Sequence, residues 1–85
     1  MQRVLIIGAT SAIAEATARR YAARGAAIHL IGRQPARLEA IAGDLAIRGA
    51  RSSIGVLDVN DTAHHVQVLD AAWTALGGVD VALIA

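Results

Sequence analysis

The chain has no cysteine, no lysine and no phenylalanine. Without cysteine there is no disulfide framework and no thiolate metal site. Without lysine, and with Gly25 standing four positions after Tyr21, these residues hold no Tyr-x-x-x-Lys pair. Chemistry that relies on such a pair cannot come from them. Tyr21 and Trp73 are the sole aromatics, so the core must be built from Val, Ile, Leu and a great deal of Ala. Neither charge sign dominates: eight arginines are interspersed with seven acidic residues, for a net charge of +1. That balance makes no electrostatic case for nucleic acid or an anionic membrane as partner. No apolar run approaches the roughly 18 residues of a membrane span. Met1-Gln2-Arg3 leads straight into an apolar strand, with no room for a signal peptide, so a cytoplasmic location is expected. At 85 residues the chain is one domain at most, and a domain of this size buries only about two thirds of its unfolded surface.

What is present is organised around Val4 to Tyr21, VLIIGATSAIAEATARRY. Four apolar residues, Val4 to Ile7, are broken by Gly8, and small residues then lead into an Ala-rich segment. The order is buried strand, tight turn, helix start. A run apolar at every position suits a strand covered on both faces, as in a parallel sheet. A turn of small residues opening a helix exposes backbone N–H groups at a positive dipole end, where a phosphate binds.

The rest of the chain continues this rhythm. A first helix is predicted from about Ser11 to Arg24, with Ile13, Ala16, Thr17 and Tyr21 as its sheet-facing stripe, Glu15 and Arg19 paired one turn apart, and Gly25 ending it. The second strand is Ala27 to Ile31, closed by Gly32. Pro35 opens a second helix with Leu38, Ile41, Ala42 and Leu45 at helical spacing, and Gly49 ends it. A third strand centred on Ile54 to Leu57 stops at Asp58. Asp61 or Thr62 caps a third helix whose stripe reads Val66, Leu69, Trp73 and Leu76. A last strand runs from Val79 to Ala85. The alternation predicts an α/β fold: a doubly wound parallel sheet, β-α-β-α-β-α-β, with strand order 3-2-1-4 and a ligand site beside Gly8 at the switch point. Because the apolar last strand has no cap or polar tail, the chain reads as the amino-terminal part of a single, longer nucleotide-binding domain. The isolated chain is expected to associate or to populate a loose state, since its fourth strand would be an open edge.

The turn Gly8-Ala9-Thr10-Ser11-Ala12-Ile13-Ala14 resembles the Gly-x-x-x-Gly-x-Gly turn of the short-chain dehydrogenase/reductase family, with Ala at the second and third glycine positions. Leu57-Asp58-Val59 is similar to that family's Asp-Val pair after the third strand. The last strand aligns with the one that leads into the family's Asn-Asn-Ala-Gly turn, although Ile84 and Ala85 match none of its asparagines. The resemblance implies a Rossmann-type fold with cofactor phosphates against Gly8, Thr10, Ser11, Ala12 and Ile13, and adenine held by Asp58 and Val59. It places the family's catalytic Ser, Tyr and Lys beyond residue 85, so no catalytic residue is assigned here. It also implies a small-molecule substrate and assembly into homo-oligomers.

Cofactor choice is legible at the end of the second strand. An acidic residue there holds the ribose 2′-hydroxyl of NAD. This chain has Gly32-Arg33, with Arg37 four residues on. A guanidinium there suits a 2′-phosphate, so NADP is the expected cofactor. The function this implies is the cofactor-binding portion of an NADP(H)-dependent oxidoreductase that moves hydride between nicotinamide and a carbonyl or alcohol. The alternatives are a non-catalytic NADP-binding regulator of the same superfamily, an extended relative acting on a nucleotide sugar and, outside the superfamily, a methyltransferase. No metal site is expected: His64 and His65 are adjacent, so on a helix they point about 100° apart. His29 reads as a core or sheet-edge residue and Trp73 as packing.

Overall fold

The computed structural model describes residues 1–58 and 60–85. Four strands, β1 (Arg3–Ile7), β2 (Ala27–Gly32), β3 (Arg51–Val56) and β4 (Val81–Ile84), alternate with α1 (Ala12–Ala23), α2 (Pro35–Ile47) and α3 (His65–Leu76). A single 3₁₀ turn, Thr62–His64, leads into α3. All pairings are parallel, in the order β3-β2-β1-β4. This is the doubly wound, Rossmann-like sheet expected from the alternation. Its register puts Leu5 beside His29 and His29 beside Ser53.

The sheet divides the core in two. On one face Val4, Ile6, Ile28 and Leu30 pack against α1 and α2, and all four are fully buried. On the other, Leu5, Ile31 and Leu57 meet Ala72 of α3, with Val68 and Leu76 alongside. Burial of each large aliphatic side chain stabilises the fold by about 1.5–3 kcal/mol.

Two helix faces differ from expectation in the same way. In α1 the buried stripe is Ala14, Ala18 and Ala22, while Ile13 is 79% exposed and only Tyr21 of the predicted stripe packs on the core. In α3 the sheet meets Val68, Ala72 and, of the predicted stripe, only Leu76, leaving Val66, Leu69 and Trp73 exposed. Each helix carries two apolar stripes, and the one with the smaller side chains lies on the sheet. The strands already supply the large residues, so alanine lets the helix axis approach until the gap closes at interior packing density.

The ends of the elements follow local chemistry. Ser11 caps α1, its Oγ accepting from the Ala14 N–H at 3.1 Å. Gly25 follows α1 with φ +74°, the left-handed geometry of a helix stop. The third helix is not capped by Asp61 or Thr62 through a side-chain bond to its backbone; Asp61 instead binds His64 Nδ1, and the helix proper begins at His65. The fourth strand starts two residues later than predicted, after Asp80, which is tied to Arg3 at the start of β1. Its carboxylate accepts from the Arg3 backbone N–H and from Arg3 Nε and Nη2, while Arg3 Nη1 donates to the Gly77 carbonyl. The Arg3 guanidinium holds the Asp80 carboxyl below the ordinary carboxylate range. The β1 residues Val4, Leu5 and Ile6 are covered on both faces of the sheet, as their unbroken apolar run suits, whereas Ile84 on β4 is 81% exposed.

His29 sits inside the sheet under α3, 3% exposed. Nδ1 lies 2.7 Å from Ser53 Oγ, and Nε2 has no partner among the described residues. The ring occupies the space a side chain at residue 55 would need: a Cβ on Gly55 would stand 3.1 Å from Nε2. Burial pushes the imidazole pKa below its ordinary 6.5. Above that value both folded and unfolded chains hold a neutral ring, and stability from this group is fully present. As pH falls below it, the unfolded chain takes up a proton that the folded chain resists, so stability declines until the lower folded pKa is reached. Urea midpoints taken between about pH 7.5 and 5 should therefore fall, and His29→Leu should flatten that slope whatever it does to the absolute midpoint. An unchanged slope in the variant would assign the acid sensitivity to other groups.

Candidate functional site

At the carboxyl ends of β1 and β2 the chain makes a turn that only a residue tolerant of positive φ can open. Gly8 has φ +80°, and a Cβ there would stand 2.8 Å from the Ala85 carbonyl oxygen. The N–H groups of Gly8 and Ala9 both donate to the Ile31 carbonyl, at 2.9 and 3.0 Å, which pins the turn to β2. Ser11 N–H donates back to the Gly8 carbonyl, and Ser11 then caps α1. This leaves the N–H groups of Thr10, Ala12 and Ile13 with no acceptor among the described residues. They gather at the positive end of α1, an anion-binding geometry.

Beside the turn lies a cavity of about 130 Å³. Gly8 and Thr10 form one wall and Ile31, Gly32 and Leu57 the other, with Arg33 at the mouth. Gly32 lets Leu38 and Thr10 approach the end of β2 closely, since a Cβ there would come within 3.2 Å of Leu38 Cδ2 and 3.5 Å of the Thr10 methyl. Leu57 continues the sheet past β3, its N–H donating to the Gly32 carbonyl at 2.8 Å. Arg33 is exposed and makes no ion pair or hydrogen bond among the described residues. The first turn of the helix that follows it holds no acidic residue, and Gln34 gives α2 no side-chain cap.

On the far side of the turn is an apolar hollow of about 300 Å³ between Ile13, Thr17, Leu83, Ile84 and Ala85. The two spaces flank the free N–H groups, so an elongated ligand with an anionic centre fits the arrangement. A further hollow of about 410 Å³, between Arg3, Ala27, Arg51 and Leu76, lies at the amino ends of the strands, away from the turn.

The sequence-predicted residues converge unevenly. Gly8, Thr10, Ser11, Ala12, Ile13 and Arg33 come together around one turn. Asp58 stands just after the Leu57 wall; its Oδ1 accepts from Asn60 N–H at 2.9 Å and its carbonyl from Asp61 N–H. Val59 lies outside the described residues. The cavity walls Ile31 and Leu57 stand out in the sequence only as strand residues, although both fall at strand ends on the predicted ligand side. Among the described residues no group of His, Asp or Glu is arranged to hold a metal ion.

Residues 2–84 match the family described as short chain dehydrogenase. A curated relative, an uncharacterized oxidoreductase in the mprA 5′ region of Streptomyces coelicolor, is 42% identical over 82 residues, covering 95% of this chain and 32% of that protein. An alcohol dehydrogenase from the archaeon Thermococcus sibiricus, solved with 5-hydroxy-NADP, superposes with a TM-score of 0.89 at 34% identity, covering 96% of this chain and 35% of the other. An NADH-dependent reductase, A1-R′, solved with NAD, superposes with a TM-score of 0.84 at 30% identity, covering 98% and 35%. The chain thus spans about a third of the length of each.

Proposed function

Because the chain belongs to the short-chain dehydrogenase family, we propose that it forms the adenosine and pyrophosphate part of an NADP(H) site. The whole protein then moves hydride between the nicotinamide and a carbonyl or alcohol of a small molecule. The likeness to an NADP-bound and an NAD-bound protein leaves the choice of cofactor to this chain's own residues. The observation that carries NADP is Arg33: an unpaired guanidinium at the cavity mouth, where a carboxylate would serve NAD.

In this reading each residue has a defined task. Gly8 permits the turn, and the N–H groups of Thr10, Ala12 and Ile13 donate to the pyrophosphate. Ser11 spends its hydroxyl on the helix cap, so phosphate contact falls to the backbone. Arg33 pairs with the 2′-phosphate through a charge-assisted contact. Asp58 borders the adenine. The bound nicotinamide supplies the hydride. No residue of this chain donates the proton: Tyr21 packs against the core beside Arg24, whose guanidinium lies 5.9 Å from the ring centroid, and lysine is absent. A cofactor-binding regulator without turnover is the second reading, favoured by Ala12 and Ala14 at positions where the family pattern has glycine.

Calorimetric titration of the full-length protein with NADPH and NADH is the test. Tighter binding of NADPH is expected, and equal affinity for both would overturn the NADP reading.

A further inference from the structure

The first turn of α2 carries a second guanidinium, Arg37, four residues after Arg33. Unlike Arg33 it is not free. Its Nη2 lies 3.3 Å from Glu15 Oε2 on α1. Glu15 also holds Arg19, at a much shorter 2.6 Å, and Arg19 in turn reaches Asp44, which pairs with Arg48. The five side chains form a ladder of alternating charge across α1 and α2, and Arg37 is its terminal rung on the side of Arg33. It is also held by one of the ladder's longer contacts, and its side chain is 54% exposed.

Resting on the NADP reading above, we propose that Glu15 is a specificity-determining residue: it restrains Arg37, and a 2′-phosphate at Arg33 draws Arg37 away to become its second cationic partner. The geometry makes the exchange cheap for the carboxylate. When Arg37 leaves, Glu15 keeps its shorter partner Arg19, so no charge is stranded. For Arg37, a long monodentate contact to a shared carboxylate is traded for a dianionic phosphate that matches its planar donor fork. NADH offers no 2′-phosphate, so Arg37 stays with Glu15 and the pair contributes nothing to its binding. Glu15 thereby sets how strongly the site distinguishes the two cofactors without touching either.

The test reads the ratio of NADPH to NADH affinity in the full-length protein, for Glu15→Gln, Arg37→Ala, the double variant and Arg33→Ala. Glu15→Gln releases Arg37 and should raise the preference for NADPH about 5- to 10-fold, the low end of typical coupling between sites. Arg37→Ala should lower it by a similar factor. In the double variant the gain from Glu15→Gln should vanish, because its route runs through Arg37. Arg37→Lys should restore only part of the preference, a lysine lacking the fork. A ratio unmoved or lowered by Glu15→Gln, or a gain that persists without Arg37, overturns the proposal. Failure of the NADP reading is separate: it shows as a ratio that Arg33→Ala leaves unchanged. A purely structural role for Glu15 would move thermal stability and both affinities together, and leave the ratio alone.

Discussion

Gly8→Val will abolish cofactor binding and destabilise the fold. Two penalties act at once. Gly8 has φ +80°, a conformation that costs an L-residue about 1–2 kcal/mol, and a β-branched one strains further. Its new Cβ would also stand 2.8 Å from the Ala85 carbonyl oxygen. Relief requires β1 and the end of β4 to part, against the 3.0 Å bond from Ala85 N–H to the Ile7 carbonyl. Overpacking of this kind costs about 1–3 kcal/mol, so a total loss of about 2–5 kcal/mol is expected in urea unfolding. Any relaxation that saves the strands shifts the turn, whose N–H groups at Thr10, Ala12 and Ile13 must meet the pyrophosphate together. NADPH affinity should therefore fall by at least about 100-fold even where the variant stays folded. Gly8→Ala, without the branch, should show a smaller loss on both readouts. A Gly8→Val protein with ordinary unfolding midpoint and affinity would mean that the turn is far softer than its hydrogen bonds imply.

Arg33→Ala should weaken NADPH binding by about 10- to 150-fold, the 1.5–3 kcal/mol typical of a hydrogen bond to a charged group. NADH binding should change little, because the ribose 2′-hydroxyl carries no charge for the guanidinium to meet. The fold should be unaffected, since Arg33 is exposed and holds no other residue among the described ones. Calorimetry with both cofactors separates the outcomes. Equal losses for NADPH and NADH would make Arg33 a general contributor to the local potential and remove the basis for cofactor choice. The loss should also shrink as salt rises, as expected for an exposed charge pair.

Much of this was legible before any coordinates. Largely apolar strands such as Val4–Ile7, separated by helical periods and glycine stops, determine a parallel sheet with helices on both faces, and right-handed crossovers then order it as β3-β2-β1-β4. The turn was equally legible, because Gly8 followed by small residues and a capping Ser11 is a local pattern whose backbone consequence is local too. Arg33 followed from counting along the chain to the end of β2. What the sequence did not determine was which face of each helix meets the sheet. Both α1 and α3 carry two apolar stripes, and periodicity weighs Ile13 or Trp73 above alanine. Only the packed structure shows Ala14, Ala18, Ala22 and Ala72 on the sheet, because the choice depends on the volume the strands have already filled. The partner of Arg37 was hidden for a related reason. Glu15 is 22 residues away on another helix, and only the approach of α1 to α2 over the sheet brings the two charges together. Patterns within one element are written in its own residues, whereas the pairing of faces and charges between elements is decided by how closely the elements can approach.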